Sequence, residues 1–200
     1  ANGLVAEWNG QVCRLKKGVV SASENKKRYV GVPGMNAIAQ HLAHSCSVLN
    51  AIRVASVHRQ DQQWRLSSDT GQDLGCYDVA VVAVPAPQAV SLLEEAPRLA
   101  ARAAKVEMTG CWAVMVALNQ PVDVPFDGAF VSDSALSWIA RNSSKSGRGN
   151  DDCWVLHASP EWSEAHLEAS PERVHEDLIE AFCQATACRA VRSSFAQAHR

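Results

Sequence analysis

Along the 200-residue chain, apolar positions recur at helical spacing in two stretches, and elsewhere alternating or continuous apolar segments are separated by polar loops. Val12 to Val20 mixes apolar and basic residues around Gly18, which predicts a short exposed hairpin leading into the polar loop Ser21 to Arg28. Tyr29 to Val32 reads as a brief strand stopped by Pro33 and Gly34. Ile38, Ala39, Leu42 and Ala43 then share a helix face, with Asn36 as N-cap and an end near His44. Val48 to Val57 and Gln63 to Ser67 read as strands, and Asp69 to Gly75 as a turn cluster. Tyr77 to Val84 ends in an unbroken apolar run, the pattern of a strand covered on both faces. Pro85 and Pro87 stop it, and Gln88 to Ala104 has the composition of one or two helices.

A second β-rich block follows, with strands predicted at Cys111 to Leu118, Gly128 to Val131, Leu136 to Asn142 and Cys153 to Ala158. Ser143 to Asp152 is polar enough to be an exposed hairpin loop. Ser170, Pro171 and Glu172 form a helix start, after which Val174, Leu178, Ile179 and Phe182 fall on one face. The fold class expected is α+β: an antiparallel sheet with helices, plus part of an α/β unit.

Composition narrows the partner. Nineteen basic and 21 acidic residues are dispersed along the chain, so there is no patch for nucleic acid or a membrane surface, and a small molecule is expected. No apolar stretch approaches the ~20 residues that span a bilayer, and the N-terminus carries no signal pattern. Seven cysteines without a CxxC pair read as reduced core residues of a cytoplasmic protein, and no zinc or other metal site is expected. Ala1 follows no initiator Met, and Ala198, His199 and Arg200 follow no cap, so both ends read as cut.

The stretches YVGVPGMNAIAQHLA, VLNAIRVASV, YDVAVVAVPAPQAVSLL, LSWIARNSSKSGR and WVLHASPEWSEAHLE occur in the order found in the flavin-containing amine oxidase superfamily. Together they most closely resemble its bacterial renalase-like branch, across nearly the whole chain. The resemblance implies an interleaved layout: residues 1–28 as a substrate-side lead, 29–104 as part of an FAD-binding domain, and 105–200 as a substrate-binding domain. It implies FAD as the cofactor of the complete protein, with an amine or a reduced nicotinamide, NAD(P)H, as hydride donor. None of the 11 glycines forms the GxGxxG turn that holds the FAD pyrophosphate, so this stretch alone is expected to bind FAD weakly and to be inactive.

By the same resemblance, Val54 would lie along the adenine, where it is otherwise an ordinary strand residue. Pro85, Ala86 and Pro87 follow the apolar run at the end where ligands sit in open α/β sheets, and they serve equally as a strand-ending turn. Trp138, Ala140 and Asn142 alternate and would face the flavin ring as substrate-pocket residues; the plainer reading is a core Trp and a turn Asn. No catalytic residue is assigned. His157 has no triad-like neighbour in sequence, and Arg141, Lys145 and Arg148 are either an anion-attracting group or a solvated loop. A non-catalytic α+β module binding an apolar ligand or a partner chain stays open, as does a relative acting on carotenoids or porphyrinogens. The run Val79 to Val84 is expected to be left bare and to self-associate, unless the helices Asn36 to His44 and Gln88 to Ala104 cover it.

Overall fold

The computed structural model describes residues 3–22, 26–189 and 191–200. The elements run β1 (Val5–Glu7), β2 (Val12–Lys16), β3 (Val19–Ala22), β4 (Tyr29–Gly31), α1 (Asn36–Ala43), β5 (Val54–Gln60), β6 (Gln63–Ser68), β7 (Asp73–Tyr77), α2 (Ala86–Leu92) and α3 (Pro97–Ala103). They continue with β8 (Ala113–Leu118), β9 (Gly128–Ser132), β10 (Leu136–Arg141), β11 (Cys153–Ala158), α4 (Pro160–Ala165), α5 (Pro171–Thr186) and β12 (Ser193–His199). The class is α+β. Contacts divide the chain into two compact units, residues 1–46 with 109–200, and residues 47–108. Tyr29–Gly31 belongs to the first unit, pairing antiparallel with β1.

The larger unit is built on a seven-stranded sheet in the order β12-β8-β11-β10-β9-β2-β3. All its pairings are antiparallel except β2 with β9. The β2–β3 hairpin turns at Lys17 and Gly18, both at positive φ (48° and 76°), as a two-residue turn matching strand twist requires.

Strand alternation divides the sheet into two unlike faces. Val114, Val116, Ala129, Leu136, Ile139, Trp154 and Leu156 point to one side and are buried. There they join Val174, Leu178 and Phe182 of α5 in one core. α5 begins where the sequence predicts: Ser170 Oγ accepts from Arg173 N–H at 3.3 Å, and Pro171 occupies the first turn. It ends at Ala187, whose left-handed φ of 53° terminates the helix.

The smaller unit is a three-stranded meander, β5-β6-β7, with α2 and α3. Its core is thin, with Val57 and Ala89 its buried apolar residues among those described. The apolar run does not form the predicted strand. β7 ends at Tyr77, and residues 78–84 have no ladder partner among the described residues. Val79 is 75% exposed, Val81 85% and Val84 41%, so no helix covers the run. A strand is defined by its neighbours, and these six apolar residues, with no ladder partner among the described residues, stay largely exposed. Lys at both Val79 and Val81 is therefore expected to change stability by less than ~0.5 kcal/mol and to lower self-association. Light scattering against concentration, beside a melting curve, checks both.

Other expectations need correction. Asn36 is the first helical residue of α1 rather than its cap; Met35 holds the cap position, and no side chain caps the helix. The strand expected from Val48 starts only at Val54, and the sequence reading missed β1, β12 and α4. All seven cysteines are free, yet only Cys13 is buried; Cys46, Cys76 and Cys111 are exposed. No helix of the described residues is long and apolar enough to cross a membrane, and no cluster of metal-ligating side chains occurs among them.

Candidate functional site: the open face of the seven-stranded sheet

The sheet face opposite α5 holds the residues expected from the sequence to form a pocket, Trp138 and Ala140. Cross-strand neighbours stand on the same side of a sheet. Trp138 of β10 is opposite Phe130 of β9 and His157 of β11, and His157 is opposite Ala113 of β8. The next row holds Gly128, Ala140, Val155 and Met115. Phe130 and Met115 are exposed, while Trp138, Val155 and His157 are half-buried. The result is a mixed surface in which Trp138, Phe130, Val155 and Met115 are accompanied by two imidazoles, His157 and the exposed His199 opposite Ala113, with Gln197 opposite Met115 and Arg14 5.9 Å from the Phe130 ring centroid.

Part of this face is roofed. Trp8 and Val30, from the β1–β4 side, pack on Ala140, with Val12 and Trp138 beside them. The Trp8 and Trp138 rings meet edge to face at 6.5 Å, and Phe130 tilts against Trp138 at 4.7 Å. Gly128 makes that packing feasible, because a Cβ there would stand 3.0 Å from both indoles. Trp8 Nε1–H donates to Ser144 Oγ at 2.9 Å, and Ser144 Oγ donates to the Arg141 carbonyl at 2.8 Å. The roof is thereby tied to the loop after β10.

That loop is more structured than its polarity suggests. β10 stops at Arg141, and Asn142–Ser144 makes a 3-10 turn, so Asn142 leaves the alternation it was expected to continue. Asn142 Oδ1 lies 3.4 Å from Lys145 Nζ, and the Asn142 amide N–H groups have no partner among the described residues. Lys145 is half-buried, its ammonium 5.5 Å from the Trp8 ring centroid. Burial, then Arg148, lowers its pKa below the usual lysine value. His157 is likewise lowered, by burial first and Lys145 second, so the imidazole is neutral at pH 7. Arg148 donates to the Gly31 carbonyl at 3.2 Å.

Arg141 does not join the loop cations. Its Nε lies 3.0 Å from Asp152 Oδ1, and it also donates to the Val122 carbonyl and stacks 4.8 Å from the Trp154 ring centroid. Its role is to fasten the ends of β10 and β11.

The structure brings Trp138 and Ala140 to one face, with Asn142 just beyond, and Ala140 is only 1% exposed beneath Trp8 and Val30. Sequence reasoning missed Trp8 and Phe130, set His157 aside, and named Lys145 with Arg141 and Arg148 as either an anion-attracting group or a solvated loop. The alternation Cys153, Val155, His157 against buried Trp154, Leu156 and Ala158 was the available signal for His157.

The remaining candidates lie in the smaller unit. Val54 pairs with Ser68 next to a register shift and borders an apolar cavity of about 270 Å³, with Val57, Leu66, Tyr77 and the Val79–Val84 run. Pro85 precedes α2, and Ala86 and Pro87 form its first turn. His58 and the Arg59 backbone N–H both bind Glu95, at 3.0 and 2.7 Å, which holds the meander to the segment after α2.

No protein-family model matches the chain. Solved structures do. A putrescine oxidase double mutant superposes with a TM-score of 0.65 at 14% identity, covering 86% of this chain and 39% of its own. Cyclohexylamine oxidase from Brevibacterium oxydans gives 0.62 at 12%, covering 83% and 38%. The chain shares its fold with a segment of each of these two oxidases. The PF1083 protein from Pyrococcus furiosus matches similarly, with a TM-score of 0.61 at 12% identity over 86% of this chain and 44% of that one. The segment thus spans less than half the length of the solved proteins it matches, and identities this low establish the shared fold alone.

Proposed function

We propose that this chain is the central part of an FAD-dependent oxidoreductase of the amine oxidase type, renalase-like in its loop after β10. The observation that carries the reading is the open sheet face: Phe130, Trp138 and Met115 form a flat apolar floor in a unit whose other face is fully packed. Such a floor fits one side of a planar ring system and excludes water from it. A bound flavin would supply the hydride acceptor and its reoxidation by oxygen.

The chain's own residues would do the rest. Trp138 and Phe130 wall the flat site, and the Asn142 amide N–H groups, without a partner among the described residues, would orient a polar atom. Neutral His157 can accept a proton beside the floor. Val54 and the Pro85–Pro87 turn belong to the part read as cofactor-side, where the apolar cavity beside Val54 suits a purine. Residues 29–104 as a partial cofactor domain, with 1–28 and 105–200 on the substrate side, complete the proposed layout.

The competing reading, a non-catalytic binding module, draws on the exposed Val79–Val84 run, which would serve a partner chain as well. Flavin content of the gene product at its natural length separates the two readings.

A further inference from the structure

Lys145 is a sheltered cation that has no counter-charge among the described residues. Its Nζ rests 5.5 Å from the Trp8 ring centroid and 3.4 Å from Asn142 Oδ1, and no carboxylate lies within ion-pair distance among the described residues. Other sheltered charges in the same unit are neutralised: Asp152 holds Arg141 at 3.0 Å, and Arg173 holds Asp177 at 2.8 Å. Arg148, on the same loop and also half-buried, spends an N–H on the Gly31 carbonyl and likewise has no carboxylate. Burying charge is costly unless an opposite charge or a full set of hydrogen bonds offsets it. Here the neighbours add to the cost, since burial and Arg148 depress Lys145, and Lys145 helps depress His157. Among the described residues no negative charge answers this cation, whose neighbours are the Trp8 indole, the Asn142 amide, Arg148 and the His157 imidazole.

We infer that Lys145, backed by Arg148 and set against Trp8, whose ring meets Trp138 edge to face, binds an oxyanion carried on a flat organic body, so that the substrates are anionic rather than simple ammonium compounds. This rests on reading the Trp138 face as the substrate face. An ammonium group placed there would meet Lys145 with like charge, whereas a carboxylate or phosphate would supply the absent partner. The cation selects against one class of substrate as much as it attracts the other.

The test is a tryptophan-fluorescence titration of this chain with three probes of matched shape: benzoate, phenyl phosphate and benzylammonium. Wild type is expected to bind at least one of the two anions at least tenfold tighter than benzylammonium, and the stronger of the two identifies the oxyanion. Lys145→Met should lose that affinity at least tenfold, while Lys145→Arg should keep most of it. Lys145→Met should melt no lower than wild type, because it removes an unpaired, partly desolvated charge, and this shows that the loss is not unfolding. Benzylammonium binding as tightly as both anions, anion binding indifferent to Lys145→Met, or no binding of either anion would overturn the inference. Flavin content is an independent readout, so the failure of one proposal is distinguishable from the failure of the other.

Discussion

Asp152→Ala is expected to destabilise the larger unit by roughly 3–5 kcal/mol, the cost of stranding a buried charge. The Asp152 carboxylate is 7% exposed and its Arg141 partner 22%. Besides that pair, Oδ2 accepts from Val122 N–H at 2.8 Å and Oδ1 from Trp154 Nε1–H at 3.1 Å. Removing it therefore leaves a guanidinium and two N–H donors unanswered against the core. Asp152→Asn retains an acceptor and should lose less. Because ~1 kcal/mol moves the melting point of a chain this size by about 2–4 °C, a drop near 10 °C is expected by calorimetry. A change under 2 °C would show the pair to be solvent-screened.

Phe182→Ala is expected to cost ~3–5 kcal/mol. Phe182 is fully buried at the centre of α5, with its ring 5.1 Å from that of Trp154. Leu178 and Val174, one and two turns before it, are equally buried, so little can collapse into the void. Urea unfolding should show the lower midpoint with an unchanged slope, as for a packing loss within an intact fold. Ile179, only partly buried beside this core, should cost clearly less when shortened to Ala.

These two sites show how unevenly the sequence disclosed the structure. Val174, Leu178 and Phe182 at helical spacing after Ser170 and Pro171 announce α5 completely, because cap, propensity and burial agree there. Cys153 to Ala158 was legible for the same reason. The run at Val79–Val84 misled because its composition reports burial in a sheet, while its actual neighbours decide whether a ladder forms. Asn142 misled by one residue: the turn that follows Arg141 is closed by Ser144, whose hydroxyl is shared with Trp8, 136 positions away. No local pattern encodes that contact. For Lys145 the sequence left two readings open, an anion-attracting cation or a solvated one, because the indole from β1's end that shelters it comes from a distant part of the chain.

The open face has its own logic. Small and flat residues, Gly128, Ala140, Trp138 and Phe130, are gathered on one side of β9 and β10, while the larger aliphatics go to the α5 side. A sheet that only needed stability would be free to distribute them otherwise. A half-open aromatic face beside a loop with two half-buried cations is the arrangement on which the proposed ligand site rests.

The most direct test of the central claim is the visible absorption spectrum of the gene product expressed at its natural length and purified without added cofactor. The flavoprotein reading predicts the paired visible bands of an oxidised flavin, bleached by substrate under anaerobic conditions and restored by air. A correctly folded, full-length product without flavin absorption, and unable to take up added FAD, would contradict it.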